Sequence, residues 1–152
     1  MDRLLVALDT SQCAPLVLAT AIDLARRLGG KLRLLRVVGI PPELPANVWA
    51  LPQAQVAEAS LASARRQLEE IARTVPPELY EGASAQVGVA WDGICSAARE
   101  HDVDLIVIGA QGYGLLSRLA GTTAAKVVNH ADRPVLVVRP RGDAAPPAAP
   151  EG

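Results

Sequence analysis

Two glycines, Gly109 and Gly112, follow the apolar run Leu105 to Ile108, and Gly121, Thr122 and Thr123 then open an alanine-rich helical pattern. Glycine lets a backbone N–H approach a ligand with no Cβ in the way, and a helix start leaves its first amides without intrahelical partners. Amides presented like this, at the positive end of a helix dipole, suit a phosphate. Taken singly, Gly109 ends a strand and Thr122 or Thr123 caps a helix. Together and in this order they read as a ligand-binding loop. A second apolar run, Val135 to Val138, completes a strand, loop, helix, strand unit.

Five strands alternating with four helices are expected to position that loop. The first strand runs from Arg3 to Leu8. A helix from about Pro15 to Leu28 follows, with Pro15 suited to its first turn and Gly29-Gly30 to its end. Lys31 to Val38 is the second strand. Gly39 to Pro52 is too rich in proline for a regular element and reads as a long loop. Next come a helix from about Gln53 to Thr74, stopped by Pro76-Pro77, a weakly alternating strand from Ala83 to Val89 and a short helix from Gly93 to His101. This alternation implies parallel pairing, right-handed crossovers and helices on both faces of one sheet.

With 152 residues, half of them hydrophobic, the chain can bury one core as a single α/β domain. That domain is expected over residues 1 to 140, with the Pro/Ala-rich tail from 141 to 152 disordered for lack of apolar content. A net charge of −1 gives no electrostatic reason to expect a nucleic-acid partner. The opening LLVAL is too short for a signal segment or a membrane span, so a cytoplasmic protein is expected. Cys13 and Cys95 form no CxxC or Cys/His cluster and read as small buried hydrophobes, with no metal site. The chain has no G-x-x-x-x-G-K-S/T loop, no G-x-S-x-G elbow and no H-E-x-x-H pair. His101 and His130 each end a helix, where a cation complements the dipole. No catalytic residue is assigned, and Glu69-Glu70 with Arg65 and Arg66 reads as a solvated helix face.

The glycine loop resembles that of the universal stress protein family. Its nucleotide-binding members carry Gly, two residues, Gly, nine residues, then Gly-Ser or Gly-Thr. Gly109-Ala110-Gln111-Gly112 matches the first half and Gly121-Thr122 the second, although only the eight residues Tyr113 to Ala120 lie between. LLVALDTS, LARRLGGKLRLLRVV and HADRPVLVVRP extend the resemblance over roughly Met1 to Pro140. It implies a doubly wound open sheet of five mainly parallel strands in the order 3-2-1-4-5. It also implies a homodimer through the last strand, Val135 to Val138, paired antiparallel with its copy.

In such a sheet ligands bind at the carboxyl ends of strands where the order reverses. Asp9, Thr10 and Ser11 follow the first strand, Val37 and Val38 end the second, and Gly109 to Gly112 follows the fourth. The resemblance implies an acid beside the nucleoside at Asp9, adenine contacts at Val37 or Val38, and ribose and phosphate contacts at Gly109, Gly112, Gly121, Thr122 and Thr123. Asp9 equally suits a turn, and the two valines equally suit the core. With no Phe, and with Trp49, Trp91, Tyr80 and Tyr113 scattered, the base pocket must be aliphatic. Lys126 and Arg118 read as solvated. The expected function is a cytosolic stress-response module holding ATP or another adenine nucleotide, with magnesium where the phosphates bind it. Hydrolysis is absent or slow, because no base is positioned for water. A dimeric interaction protein without nucleotide is the alternative.

Overall fold

A computed structural model describes residues 1–39, 53–110 and 123–141 of the chain. The expected tail, most of the Gly39 to Pro52 loop, and Gly112, Gly121 and Thr122 lie outside the described residues, as do Arg118 and Tyr113.

Five strands form one parallel sheet: β1 (Arg3–Ala7), β2 (Lys31–Val38), β3 (Tyr80–Val87), β4 (Leu105–Gly109) and β5 (Val135–Val138). Their order is β3-β2-β1-β4-β5, the expected one. The central strands β1 and β4 are continuous apolar runs because helices cover both their faces. Leu4 and Val6 face one core with Leu32, Leu34 and Val107, covered by α1 (Ala14–Leu28) and α2 (Gln53–Ala72). Leu5 faces the other with Leu35, Ile106 and Ile108, covered by α3 (Ala90–Glu100) and α4 (Thr123–His130). Alternation along each strand thus feeds both layers.

Local sequence explains most boundaries. Pro15 sits in the first turn of α1, and Gly29 takes the left-handed conformation, φ 68°, that ends the helix. Val17, Ala21 and Ala25, four residues apart, make its buried stripe. α2 stops at Ala72 rather than Thr74, because Thr74 turns back and bonds Ile71 O through both its amide and its hydroxyl. The third strand is shifted from the expected Ala83 to Val89. It starts at Tyr80, behind a 3-10 turn at Pro77–Leu79, where pairing with Leu32 outweighs the weak local pattern. α3 begins at Ala90, three residues before the expected Gly93, so Gly93 is a helix-interior glycine. A Cβ there would meet Gln86 Nε2 at 2.6 Å and Val37 Cγ2 at 2.9 Å, and its absence lets α3 lie close on β2 and β3.

Arg133 ties the carboxyl end of α3 to the segment before β5: its guanidinium donates to Ala98 O at 2.7 Å and to Val103 O at 2.8 Å. Cys13 and Cys95 are buried and unbridged, as expected of small hydrophobes. Burial pushes both thiols up, and the Asp9 charge adds to the effect at Cys13. His101 caps α3 through its amide, and His130 Nδ1 lies 2.8 Å from Lys126 O. Both histidines therefore sit at helix carboxyl ends, and His130 also stacks on Trp91.

Candidate functional site

β1 and β4 are neighbours at the centre of the sheet, but their following helices lie on opposite faces. The chain divides at their carboxyl ends and leaves a crevice there. On the β1 side, Asp9 Oδ1 accepts from Ser11 N at 2.9 Å, and Ser11 Oγ accepts from Cys13 N at 3.3 Å. Each side chain bonds the amide two residues on, so the loop turns sharply into α1. The turn role weighed for Asp9 is therefore observed, and its carboxylate still lines the crevice.

Four residues singled out by sequence come together there. Asp9, Val37, Gly109 and Thr123 line one cleft on the α3–α4 side of the sheet, whose described part encloses about 70 Å³. Thr10 and Val38 do not; they line a separate groove on the α2 side. Val38 points away from the cleft because successive strand residues face opposite sides of the sheet, while Val37, near the carboxyl end of β2, borders both hollows. Sequence reasoning missed the rest of the described wall: Ala7, Leu8, Leu35 and Ile108 from the sheet side, Ala90 and Ile94 from α3, and Ala124 from α4. Leu35 carried a usable signal, two residues before Val37 on the same face. Ala90, Ile94 and Ala124 become neighbours only through helix packing.

Gly109 has a different reason from the one its motif suggests. A Cβ on it would point at α1, 3.0 Å from Val17 Cγ2 and 3.4 Å from Cys13 Sγ. The missing side chain lets α1 approach the sheet, while the backbone of Gly109 borders the cleft. The next amide, Ala110 N, is bonded to Val138 O at 2.9 Å.

The cleft joins aliphatic walls to one carboxylate and one hydroxyl, Asp9 and Thr123. This arrangement can hold a small, mostly apolar group with a polar edge. Among the described residues the lining carries no histidine and no second carboxylate, so it presents no acid–base pair. No group of three His, Cys, Asp or Glu side chains among them could hold a metal ion.

A parallel sheet in this order, with helices on both faces and a cleft at its switch point, defines a doubly wound α/β architecture. The family model described as the universal stress protein family matches residues 1–139. The chain belongs to that family. A curated relative, universal stress protein G of Salmonella typhimurium, is 40% identical over 52 residues, 34% of this chain and only 37% of that protein. Over nearly full length, the chain resembles the structure of the universal stress protein UspA from Lactobacillus plantarum. That match has a TM-score of 0.74 and 26% identity, covering 91% of this chain and 97% of the other. A universal stress protein solved in complex with cAMP shares the fold, with a TM-score of 0.64 and 22% identity, covering 91% and 96%.

Proposed function

We propose that this universal stress protein holds an adenine nucleotide in the switch-point cleft and acts as a cytoplasmic regulatory or protective module. The observation that carries this reading is the meeting of Asp9, Val37, Gly109 and Thr123, drawn from the turn after β1, two strands and a helix, in one cleft. Aliphatic Val37, Leu35 and Ile108 offer the base an apolar wall. Asp9 offers an acceptor toward the nucleoside. The phosphates are assigned to Gly112, Gly121 and Thr122, with magnesium where ATP brings it. The cAMP bound by the structural neighbour is a purine nucleotide, which supports the ligand class. With no base positioned among the described residues, the nucleotide is held rather than turned over, at well below about 1 s⁻¹. Release and mass identification of the ligand carried through gentle purification tests the reading. An adenine nucleotide near one per chain is the expected result, and protein that never carries or takes up one refutes it.

The edge strand β5 favours assembly. It pairs only with β4, and its apolar side chains Val135, Leu136 and Val137 are half-buried. An apolar edge with unpaired backbone groups invites another strand, and an antiparallel pairing of two copies about a two-fold axis would cover both edges. The same edge would serve a dimeric interaction protein that binds no nucleotide, the reading to which the eight-residue spacer also points.

A further inference from the structure

The groove that takes Thr10 and Val38 lies across β2 from the cleft. Leu35 and Val37 point toward α3, whereas Leu34 and Arg36 point toward α2, where Arg36 bonds Gln67. The two hollows meet at the carboxyl end of β2, and Asp9 and Val37 line both. The groove measures about 550 Å³, inside the roughly 300 to 1,000 Å³ of small-molecule pockets. Among the described residues, α2 packs on the sheet through Leu68 and Ile71, while Ala59, Ser60, Ser63 and Ala64, which line the groove, are too short to fill the space.

The polar chemistry of this groove is one-sided. Arg36 Nη1 donates to Gln67 Oε1, and among the described residues Arg36 has no carboxylate partner. That bond uses the amide's acceptor, so Gln67 presents its NH₂, and Arg36 keeps its other N–H groups. Ser60, Ser63 and Thr10 add hydroxyls. Donors gathered around one guanidinium match an oxyanion. Among the described residues, the one carboxylate in the lining, Asp9, stands where the groove joins the cleft.

The geometry points to a second ligand subsite: the groove between β2 and α2 takes a phosphoryl or carboxylate group anchored by Arg36, next to the nucleotide cleft. The inference rests on the nucleotide reading in one respect, since the shared wall at Asp9 and Val37 lets a single ligand reach both hollows. The oxyanion is then either the second half of a dinucleotide or a separate small anion.

Calorimetry on ligand-stripped protein, with AMP, diadenosine tetraphosphate and inorganic pyrophosphate as probes, separates these sources. A tethered oxyanion makes diadenosine tetraphosphate bind at least about tenfold more tightly than AMP; a free one makes pyrophosphate bind protein already saturated with AMP. Arg36→Gln weakens whichever is seen by about tenfold or more, the worth of one charge-assisted contact. AMP alone stays within about twofold, as expected for a separate site. Ser63→Val keeps Arg36 but replaces a hydroxyl donor with apolar bulk in the lining, and it weakens the same titration, so the test does not hang on one variant. No tighter dinucleotide and no pyrophosphate binding, or binding indifferent to both substitutions, overturns the subsite. AMP binding without either anion effect rejects the subsite alone. Arg36-dependent pyrophosphate binding by protein that ignores AMP keeps the subsite and rejects the nucleotide reading.

Discussion

Gly109 and Val17 are so close that a methyl group on Gly109 would sit 3.0 Å from Val17 Cγ2. The first glycine of the loop motif is thus fixed by the packing of α1 on the end of β4, and Cys13 Sγ at 3.4 Å adds to the crowding. Gly109→Ala should destabilise by about 1 to 3 kcal/mol, the usual penalty of overpacking a tight core. Urea unfolding measures this directly. Nucleotide affinity of the folded variant should change little, because the added carbon points away from the cleft. Unchanged stability with lost affinity would reverse the assignment.

Much of the fold is readable from sequence because pattern and punctuation agree. Lys31–Val38 is an apolar-rich run bracketed by Gly30 and Gly39, and Val135–Val138 one bracketed by Pro134 and Arg139, so both strands have the expected bounds. Tyr80–Val87 was misplaced because no residue in it is fully buried and its alternation is faint. Its start depends on pairing with β2, which no local window contains. Gly93 misled for the opposite reason. As a poor helix former it looks like a boundary, yet its small size is what lets α3 rest on Val37. In the cleft, strand-end residues were legible through the switch-point rule, whereas Ile94 and Ala124 needed the helices in place.

Asp104 predicts a pH dependence. Its Oδ2 accepts from Asp2 N at 2.8 Å and from Arg3 N at 3.0 Å, holding the segment before β1. These two backbone bonds hold its carboxyl below the usual carboxylate range. The unfolded chain therefore binds more protons near pH 4, so stability rises with pH through that region. The contribution is complete above the unfolded value, about 3.9, and is lost as pH falls through the lower folded value. Asp104→Asn should unfold at lower urea than wild type at neutral pH and match it at the acid end. A constant gap at all pH values would show that the charge is irrelevant.

The dimer prediction can be made specific to one backbone group. Ile106 N bonds Pro134 O and Ala110 N bonds Val138 O, so the even-numbered residues of β5 turn their peptide groups toward β4. Val137, between them, turns its N–H outward. Proline there removes an edge donor without breaking the ladder to β4. Val137→Pro should sediment as a folded monomer where wild type sediments as a dimer at micromolar concentration. A wild-type monomer, or a dimer in both, rules out assembly through this edge.

The central claim is that the switch-point cleft holds an adenine nucleotide. Calorimetric titration of ligand-stripped, folded protein with ATP and with AMP tests it most directly. Saturable binding of both, with ATP the tighter because its additional phosphates meet the glycine loop, is the predicted result. Comparable affinity would place the β and γ phosphates out of contact with the shortened loop. Heat from neither nucleotide would contradict the claim.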